Sequence, residues 1–450
     1  MRPDLVQSYG NDSLPRYTSY PTAPHFSPEI CEVDYRKWLK SVPLQQPASL
    51  YLHVPFCRSM CWYCGCHTFV TKHDEPIALY ASGLRREAQL TAEAIGQRLP
   101  VSHIHFGGGT PTVMRPETFA ELVDLLRSSF LVLPHAEIAI EIDPRTLTKP
   151  MTEALASCGV NRASLGVQSF DPAVQQAINR HQTFDQTATS VERLRRQSIG
   201  RINFDLLYGL PLQTVESCLD TVRKCLELRP DRFSVFGYAH VPSFKKHQRT
   251  ISDDSLPDSL ERHLQSETIA QALLDAGYVR IGLDHFALAN DSLVAAGRKG
   301  RLRRNFQGYT DDTADTLIGL GTSAIGRMPQ GFVQNVVPIR DYLARIAEER
   351  LATTKGYVLT DEDRFRAAII ERIMCDLAVD LRQVSRLHGR DQESAVVDRA
   401  RIDSLIAHGA VTMTTDGLSV NAGAEFLVRS VASAFDAHLA HPAATHSRAV

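Results

Sequence analysis

Four cysteines stand close together near the start of the chain, at Cys57, Cys61, Cys64 and Cys66. The first three have the spacing C-x3-C-x2-C, which allows one loop to present three thiolates to three irons of a cubane iron–sulfur cluster. Iron–sulfur proteins that only pass electrons normally complete the coordination shell with four cysteines. Three ligands leave one iron open to a small molecule, so the spacing predicts a cluster that takes part in a reaction.

Two other uses of these cysteines remain open. A structural zinc could be bound, although zinc sites usually draw two pairs of ligands from separated loops. A disulfide is less favoured, because the count of 9 cysteines is odd and the other five lie in apolar surroundings typical of small buried residues. Those five are Cys31, Cys158, Cys218, Cys225 and Cys375.

Further polar residues follow predicted strands. The run Gly107-Gly-Gly109-Thr-Pro could bring backbone N–H groups close to a ligand because glycine lacks a Cβ, although a simple tight turn has the same pattern. Glu141 and Asp205 could bind a ribose hydroxyl or an ammonium group; the alternatives are a helix N-cap and a surface ion pair. Gln168 and Arg180 add polar groups that we expect on the same face.

These motifs are positioned by a serial alternation of strands and helices. Short β-branched runs alternate with longer segments in which apolar residues recur every three or four positions. The predicted strands are Ser49–Val54, Ser102–Phe106, Glu137–Ile142, Arg162–Val167, Arg201–Leu207, Arg232–Tyr238 and Tyr278–Leu283. The predicted helices are Ile77–Arg98, Glu117–Phe130, Asp185–Gln197, Val215–Leu228 and Ser259–Ala276. The pattern predicts an α/β fold with a partial (β/α)6-type parallel barrel, whose loops at the carboxyl ends of the strands carry the motifs.

Three domains are predicted. Residues 1–47 are rich in proline and aromatic residues and should form an irregular segment that packs near the barrel mouth. Residues 48–340 form the barrel. Residues 341–450 form a small, mainly helical domain that resembles a winged helix, with helices at Asp341–Glu349, Asp361–Cys375 and Ala395–Ala407. This region carries no basic stripe, so we expect a lid or scaffold rather than a DNA-binding domain.

Composition limits the possible partners and compartment. A chain of 450 residues with 43% hydrophobic and 22% charged residues is typical of a globular protein. The formal net charge of -2 gives no general attraction to nucleic acid. No apolar run approaches the length of a membrane span, and the first residues lack the features of a signal peptide. We therefore expect a cytoplasmic protein that binds neither membrane nor nucleic acid.

The motifs together resemble a known family. The cysteine loop alone resembles the radical S-adenosylmethionine superfamily, in which the open iron chelates the methionine part of the cofactor. Across essentially the whole chain, further motifs resemble the family of oxygen-independent coproporphyrinogen III oxidases. They are Arg16-Tyr-Thr-Ser-Tyr-Pro21, Gly107-Gly-Gly-Thr-Pro-Thr112, Gly166-Val-Gln-Ser-Phe170, Asp205-Leu-Leu-Tyr-Gly-Leu-Pro211, Tyr238-Ala-His-Val-Pro242, Gly282-Leu-Asp-His-Phe286 and Arg304-Asn-Phe-Gln-Gly-Tyr-Thr310.

The resemblance implies a reaction and a set of site residues. The implied reaction is the radical-based oxidative decarboxylation of two propionates of coproporphyrinogen III to vinyl groups, which gives protoporphyrinogen IX for haem synthesis. The implied cofactors are a 4Fe-4S cluster on Cys57, Cys61 and Cys64 and two S-adenosylmethionine molecules. The first S-adenosylmethionine would contact Tyr51, Gly108, Glu141 and Ile325. The second would contact Tyr63, Gly109, Thr110, Gln168, Arg180, Asp205 and Ala239, and the implied catalytic residues are Cys66, Gln307 and Tyr51.

The remaining expectations concern partners. A low-potential electron donor such as flavodoxin should reduce the cluster, and the protein should be a monomer. Cations should line the approach of a substrate with four carboxylates, and the run Arg298–Arg304 is a candidate, although such a run is usually a solvated surface. Two alternatives remain: a haem-trafficking relative, which typically has phenylalanine where this chain has Cys66, and a zinc-stabilised binding protein.

Overall fold

The computed structural model describes residues 2–439 and contains one large sheet with helices around it. The strands are β1 (Ala48–Val54), β2 (Phe56–Cys57), β3 (Phe69–Val70), β4 (Pro100–Gly108), β5 (Leu131–Ile142), β6 (Arg162–Gln168), β7 (Arg201–Tyr208), β8 (Arg232–Gly237), β9 (Tyr278–Ile281), β10 (His285–Leu288), β11 (Arg303–Asn305), β12 (Gly308–Thr310), β13 (Leu317–Leu320), β14 (Ile325–Met328), β15 (Gly331–Asn335), β16 (Thr353–Val358), β17 (Ala378–Asp380), β18 (Val411–Met413) and β19 (Gly417–Val420).

Helices connect the strands and cover the sheet. They are α1 (Pro3–Tyr9), α2 (Glu32–Lys40), α3 (Glu75–Ile95), α4 (Pro116–Ser129), α5 (Lys149–Ser157), α6 (Pro172–Ala177), α7 (Phe184–Arg196), α8 (Val215–Glu227), α9 (Ser259–Asp275), α10 (Ser292–Arg298), α11 (Ile339–Ala347), α12 (Asp361–Asp376), α13 (Leu381–His388), α14 (Arg399–Ala407) and α15 (Val428–Ser433). No helix among residues 2–439 is long and apolar enough to cross a membrane.

Six neighbouring parallel strands, β1 and β4–β8, form the centre of the sheet. Alternate side chains of each strand point to opposite faces. On β1, Leu50 and Leu52 are buried in the main hydrophobic cluster with the helices, whereas the intervening Tyr51 and His53 belong to a more polar inner face. The predicted α/β fold with a partial parallel barrel is confirmed, and the inner polar face is where a site can form.

The region after β8 differs from the prediction. The predicted strand Tyr278–Leu283 ends at Ile281, and it does not pair with β8. A short turn that contains Gly282, with φ of 56°, leads directly into β10, which lies antiparallel between β8 and β9. A connection this short cannot make the crossover that parallel neighbours require, so the parallel repeat stops after six strands.

The other edge of the sheet is also antiparallel. β13 pairs parallel with β1, and β14, β15 and β16 follow as antiparallel neighbours. Residues up to Val358 therefore extend the sheet, and α11 packs against α3, which lies on the barrel side of the predicted division at residue 340. The division into three domains stays a prediction.

The C-terminal helices share a second hydrophobic cluster with the N-terminal segment. Leu5, Val6, Tyr9, Tyr17 and Tyr20 are buried in it against residues of α12–α15. A small antiparallel sheet of β17, β19 and β18 completes this unit. Residues 440–450 of the predicted C-terminal domain lie outside the described residues.

Candidate active site

A cavity of about 670 Å³ lies at the carboxyl ends of the central strands. It is open to solvent and extends from the cysteine loop after β1 to the loop after β8. The predicted site residues that line it are Cys57, Cys61, Tyr63, Cys64, Cys66, Gly108, Gly109, Thr110, Glu141, Gln168, Arg180, Asp205, Ala239 and Gln307. Residues that are far apart in the sequence are thus brought to one place by the parallel strands.

Two predicted residues, Tyr51 and Ile325, do not line this cavity. The Tyr51 hydroxyl lies 3.0 Å from His53 Nδ1, and its ring stacks on His105 at a centroid distance of 5.9 Å. Ile325 begins β14, and its carbonyl lies against Gly319, the residue of β13 that pairs with Tyr51. Both residues are therefore neighbours of the cavity wall at β1.

The thiols of the cysteine loop have polar neighbours inside the cavity. Cys57 Sγ lies 3.3 Å from Thr110 Oγ1, and Cys64 Sγ lies 3.9 Å from Thr68 Oγ1. Within residues 2–439, no three His, Cys, Asp or Glu side chains are grouped closely enough to enclose a single metal ion. In a cubane cluster each thiolate binds a different iron.

Cys61 faces two guanidinium groups, those of Arg145 and Arg180. Arg145 Nη2 and Arg180 Nη1 each lie 3.5 Å from Cys61 Sγ. Asp143 joins them, at 2.6 Å from Arg145 Nη2 and 3.5 Å from Arg180 Nη2. Two guanidinium groups thus place positive charge beside a sulfur that is predicted to bind iron. Asp143 and Arg145 follow β5 directly after Glu141, and this position at a strand end was the available sequence signal.

Cys64 and Cys66 form a hydrogen-bonded pair of thiols. The hydrogen bond from Cys66 lowers the pKa of Cys64 to about 6, and the same bond raises the pKa of Cys66. Burial raises the pKa of Cys57 to about 12. A bound metal deprotonates a thiol outright, so these directions describe the protein without its metal.

The loop after β8 holds the cysteine loop from the side. Lys245 Nζ donates to the Cys66 carbonyl at 3.0 Å, and His247 Nε2 lies 2.7 Å from the Cys64 carbonyl. Gln248 Nε2 donates to the carbonyl of Tyr63 at 3.0 Å. Three carbonyl groups of the cysteine loop are thereby fixed without using the thiols themselves.

The glycines at the end of β4 are required by close packing within the protein. A Cβ on Gly107 would lie 2.7 Å from the Glu141 carboxylate. A Cβ on Gly108, whose φ is 111°, would lie 2.6 Å from the His53 ring. The glycines are expected to keep the backbone accessible to a ligand. They also allow Glu141 and His53 to approach the turn closely.

Glu141 is held as a carboxylate. Gly108 N–H donates to Glu141 Oε2 at 3.0 Å, and His105 Nε2 lies 3.2 Å from Oε1. Burial acts to raise the pKa of Glu141, but the hydrogen bonds and charge of His105 and the Gly108 amide outweigh it and lower the pKa.

Asp205 has the opposite balance. Ser164 Oγ donates to one carboxylate oxygen and Asn203 Nδ2 to the other, both at 2.8 Å. Burial nevertheless raises the pKa of Asp205 to about 6, and the charge of Glu141 adds to the effect. At neutral pH Glu141 is therefore fully ionised, whereas the pKa of Asp205 lies only about one unit below neutral pH.

Of the basic run Arg298–Arg304, only Arg304 lines the cavity. Its Nη2 lies 3.4 Å from Asp284 Oδ2, and its guanidinium lies 4.5 Å from the centroid of the Tyr309 ring. The guanidinium is thus buried and stacked, whereas no local pattern in the sequence distinguishes Arg304 from its neighbours.

Comparison with known proteins gives consistent matches. Residues 51–225 match the Radical SAM superfamily. The oxygen-independent coproporphyrinogen III oxidase of Bradyrhizobium diazoefficiens is 60% identical over 100% of both chains. The enzyme of the same name from Paracoccus denitrificans is 42% identical over 94% of each chain.

A solved structure covers nearly the whole chain. The coproporphyrinogen III oxidase of Escherichia coli, described as a radical SAM enzyme, is 35% identical with a TM-score of 0.89. The match covers 94% of this chain and 98% of that one. This chain therefore belongs to the family of oxygen-independent coproporphyrinogen III oxidases within the radical S-adenosylmethionine superfamily.

Proposed function

We propose that this protein catalyses the oxygen-independent oxidative decarboxylation of two propionate side chains of coproporphyrinogen III to vinyl groups, which yields protoporphyrinogen IX. The observation that carries the proposal is the meeting of Cys57, Cys61 and Cys64 with Glu141 and Asp205 in one cavity. A three-cysteine loop beside ionisable groups that can hold an amino acid and a ribose suits a cluster that works on S-adenosylmethionine. Membership of the family indicates that the substrate is coproporphyrinogen III.

Cys57, Cys61 and Cys64 would hold a 4Fe-4S cluster. The guanidinium groups of Arg145 and Arg180 beside Cys61 would offset the negative charge of a thiolate-bound cluster. When bound, the cluster and S-adenosylmethionine supply a 5'-deoxyadenosyl radical, which can remove hydrogen from an unactivated propionate carbon as no side chain can.

Two S-adenosylmethionine molecules would be bound side by side. Residues on the β1, β4 and β5 side would contact the first: Tyr51, Gly108, Glu141 and Ile325. Residues from the cysteine loop across to β8 would contact the second: Tyr63, Gly109, Thr110, Gln168, Arg180, Asp205 and Ala239. The ionised Glu141 suits an ammonium or ribose hydroxyls, and Arg180 suits a carboxylate.

The proposed catalytic residues are Cys66, Gln307 and Tyr51. Cys66 keeps its proton and is exposed to the cavity, so its thiol can approach bound substrate. Gln307 lines the same cavity from the turn between β11 and β12 and can offer an amide to a propionate. Burial raises the pKa of Tyr51, so its hydroxyl keeps its proton and can donate a hydrogen bond.

The partners and compartment follow from this chemistry. A low-potential electron donor such as flavodoxin reduces the cluster, and the protein works as a monomer in the cytoplasm. All nine cysteines are free thiols, which suits a reducing compartment.

Anaerobic turnover tests the proposal. The reconstituted protein should convert coproporphyrinogen III to protoporphyrinogen IX in the presence of S-adenosylmethionine and a strong reductant, with formation of 5'-deoxyadenosine and carbon dioxide. Cys64→Ser, which removes one of the three thiolates, should lose iron and activity together. A protein that binds haem but forms neither carbon dioxide nor vinyl product would instead be the trafficking relative.

A further inference from the structure

A second cavity, of about 540 Å³, adjoins the cofactor cavity. The two share a wall that includes Arg16, Gly237, Ala239, Asp284 and Arg304. Both volumes are in the range of small-molecule sites. A large ligand whose reacting group lies beside the cysteine loop can therefore extend past this wall into the second cavity.

The shared wall brings together arginines from distant parts of the chain. Arg16 belongs to the N-terminal segment, and its Nη2 donates to the Gly237 carbonyl at 3.2 Å. Arg304 Nε donates to the Arg16 carbonyl at 3.4 Å. Arg429, from α15, lines the second cavity, and its Nε donates to the Pro15 carbonyl at 2.9 Å. Three segments thus converge on one cationic group of side chains.

The carboxylate on the shared wall does not balance these charges. Asp284 is engaged by Arg304 at 3.4 Å and by His285 Nδ1 at 2.7 Å. Burial lowers the pKa of Arg16 against the opposing charge of Asp284, and the charge of Arg304 adds to the lowering. Burial, together with the charges of Arg16 and Arg304, lowers the pKa of Arg429 to about 10. One carboxylate thus faces two arginines on the shared wall, Arg16 and Arg304, and a further anion placed beside them would be attracted to both.

The remaining acids of the second cavity are used elsewhere. Glu267 pairs with Arg280 at 3.4 Å, and Asp253 lies 2.9 Å from His240 Nε2. Asp258 accepts from the Glu261 amide at 2.8 Å as the N-cap of α9. These three acids thus make their contacts with groups other than Arg16 and Arg304.

We propose that Arg16 and Arg304, supported by the charge of Arg429, bind the propionate carboxylates of the substrate that are not reacting beside the cofactor. This inference rests on the proposed function, because that function supplies a ligand with four carboxylates. Guanidinium groups bind carboxylates through two parallel hydrogen bonds, so they fix the orientation of the macrocycle as well as its affinity. The wall thereby determines which propionate enters the cofactor cavity.

The test measures porphyrin binding without turnover. Coproporphyrin III, the oxidised tetracarboxylate, and mesoporphyrin IX, which has two carboxylates, are titrated into the protein and followed by fluorescence. The wild type should prefer coproporphyrin III. Arg16→Gln should weaken coproporphyrin III by about tenfold to a hundredfold, the loss typical of a hydrogen bond to a charged group, and should also weaken mesoporphyrin IX, which retains the two propionates that do not react.

Two further variants make the result decisive. Arg304→Lys keeps the charge beside Asp284 but loses the paired hydrogen bonds, so it should weaken coproporphyrin III without loss of folding. Arg340→Gln, at a side chain that is 91% exposed, is the matched control and should bind as the wild type does. Wild-type affinity for coproporphyrin III in both Arg16→Gln and Arg304→Lys would overturn the inference, even in an enzyme that turns over. Absence of turnover in the wild type would instead overturn the proposed function.

Discussion

At the residue scale, Cys66 is the side chain with the most specific expectation. It is only two positions beyond Cys64, yet a fourth thiolate on the cluster would occupy the iron that S-adenosylmethionine needs. Its thiol is exposed to the cavity and hydrogen-bonded to Cys64. We expect Cys66→Ser to keep the iron content and visible spectrum of the cluster and to lose most of the decarboxylation activity.

Iron analysis and turnover on the same sample check this expectation, with Cys61→Ser as the control that should lose iron. Loss of iron from Cys66→Ser would make Cys66 a ligand and contradict the open-site mechanism. Full activity with an intact cluster would leave Cys66 as a packing residue.

Asp205 gives a pH-dependent prediction. Its pKa is raised to about 6, so the carboxylate is ionised above that pH and protonated below it. At pH 5 only about one-tenth of the groups are ionised, and binding that depends on the charge should weaken about tenfold relative to pH 7.5. Glu141, whose pKa is lowered, keeps its charge over this range.

Anaerobic calorimetric titration of S-adenosylmethionine at several pH values measures this effect. Asp205→Asn should bind weakly at every pH and show a much flatter profile. An unchanged slope between pH 5 and 7.5 in Asp205→Asn would assign the titration to another group.

At the element scale, a buried carboxylate fixes the turn between β13 and β14. Glu87 of α3 accepts hydrogen bonds from the Gly321 amide at 2.6 Å, Asn335 Nδ2 at 2.7 Å and the Tyr342 hydroxyl at 2.8 Å. Next to it, Tyr80 donates to the carbonyl of His53 at 2.8 Å. Because His53 precedes the cysteine loop, this network connects α3 to the base of the site.

Burial raises the pKa of Glu87 to about 7, above its ordinary value of 4.5. The folded state then holds the proton more tightly than the unfolded chain. The resulting stabilisation is full below pH 4.5 and is lost as the pH rises through 7. The wild type should therefore lose about 2 to 3 kcal/mol relative to Glu87→Gln between pH 5 and 8.

Denaturant unfolding of both proteins at these two pH values measures the difference. Glutamine cannot accept all three hydrogen bonds, so the variant should be less stable at pH 5 by about 1 to 3 kcal/mol. A difference in unfolding free energy that does not change with pH would mean that Glu87 stays ionised throughout.

Element-scale prediction succeeded where periodicity and local turns agree. The six parallel strands and the helices α3, α4, α7, α8 and α9 follow from the alternation of short β-branched runs with helical periods. Helix α5 was not predicted. The reversal of the chain at Gly282 places β10 between β8 and β9, and no local pattern in the sequence specifies that strand pairing. Arg16 reaches the site because the N-terminal segment packs against the C-terminal helices, and no local pattern in the sequence specifies that contact.

At the scale of the whole molecule, the N-terminal segment meets the C-terminal helices. The N-terminal segment and the C-terminal helices share one hydrophobic cluster, and this contact carries Arg16 to the wall between the two cavities. Tyr17 donates to Asp436 Oδ2 at 3.0 Å in a buried contact, and Tyr9 lies 2.6 Å from Ser404 Oγ in a partly buried one. The position of a binding residue thus depends on residues more than 400 positions away.

Tyr17→Phe tests this dependence, with Tyr9→Phe as the matched control. Tyr17→Phe removes the hydrogen bond to Asp436, and Tyr9→Phe removes the contacts of its hydroxyl with Ser404 and His408, so each should lower the unfolding free energy by about 1 to 3 kcal/mol. Only Tyr17 adjoins Arg16, so only Tyr17→Phe should also weaken coproporphyrin III binding in the fluorescence titration. If both variants weakened coproporphyrin III binding equally, the weakening would come from a general loss of stability. It would then not depend on the position of Arg16.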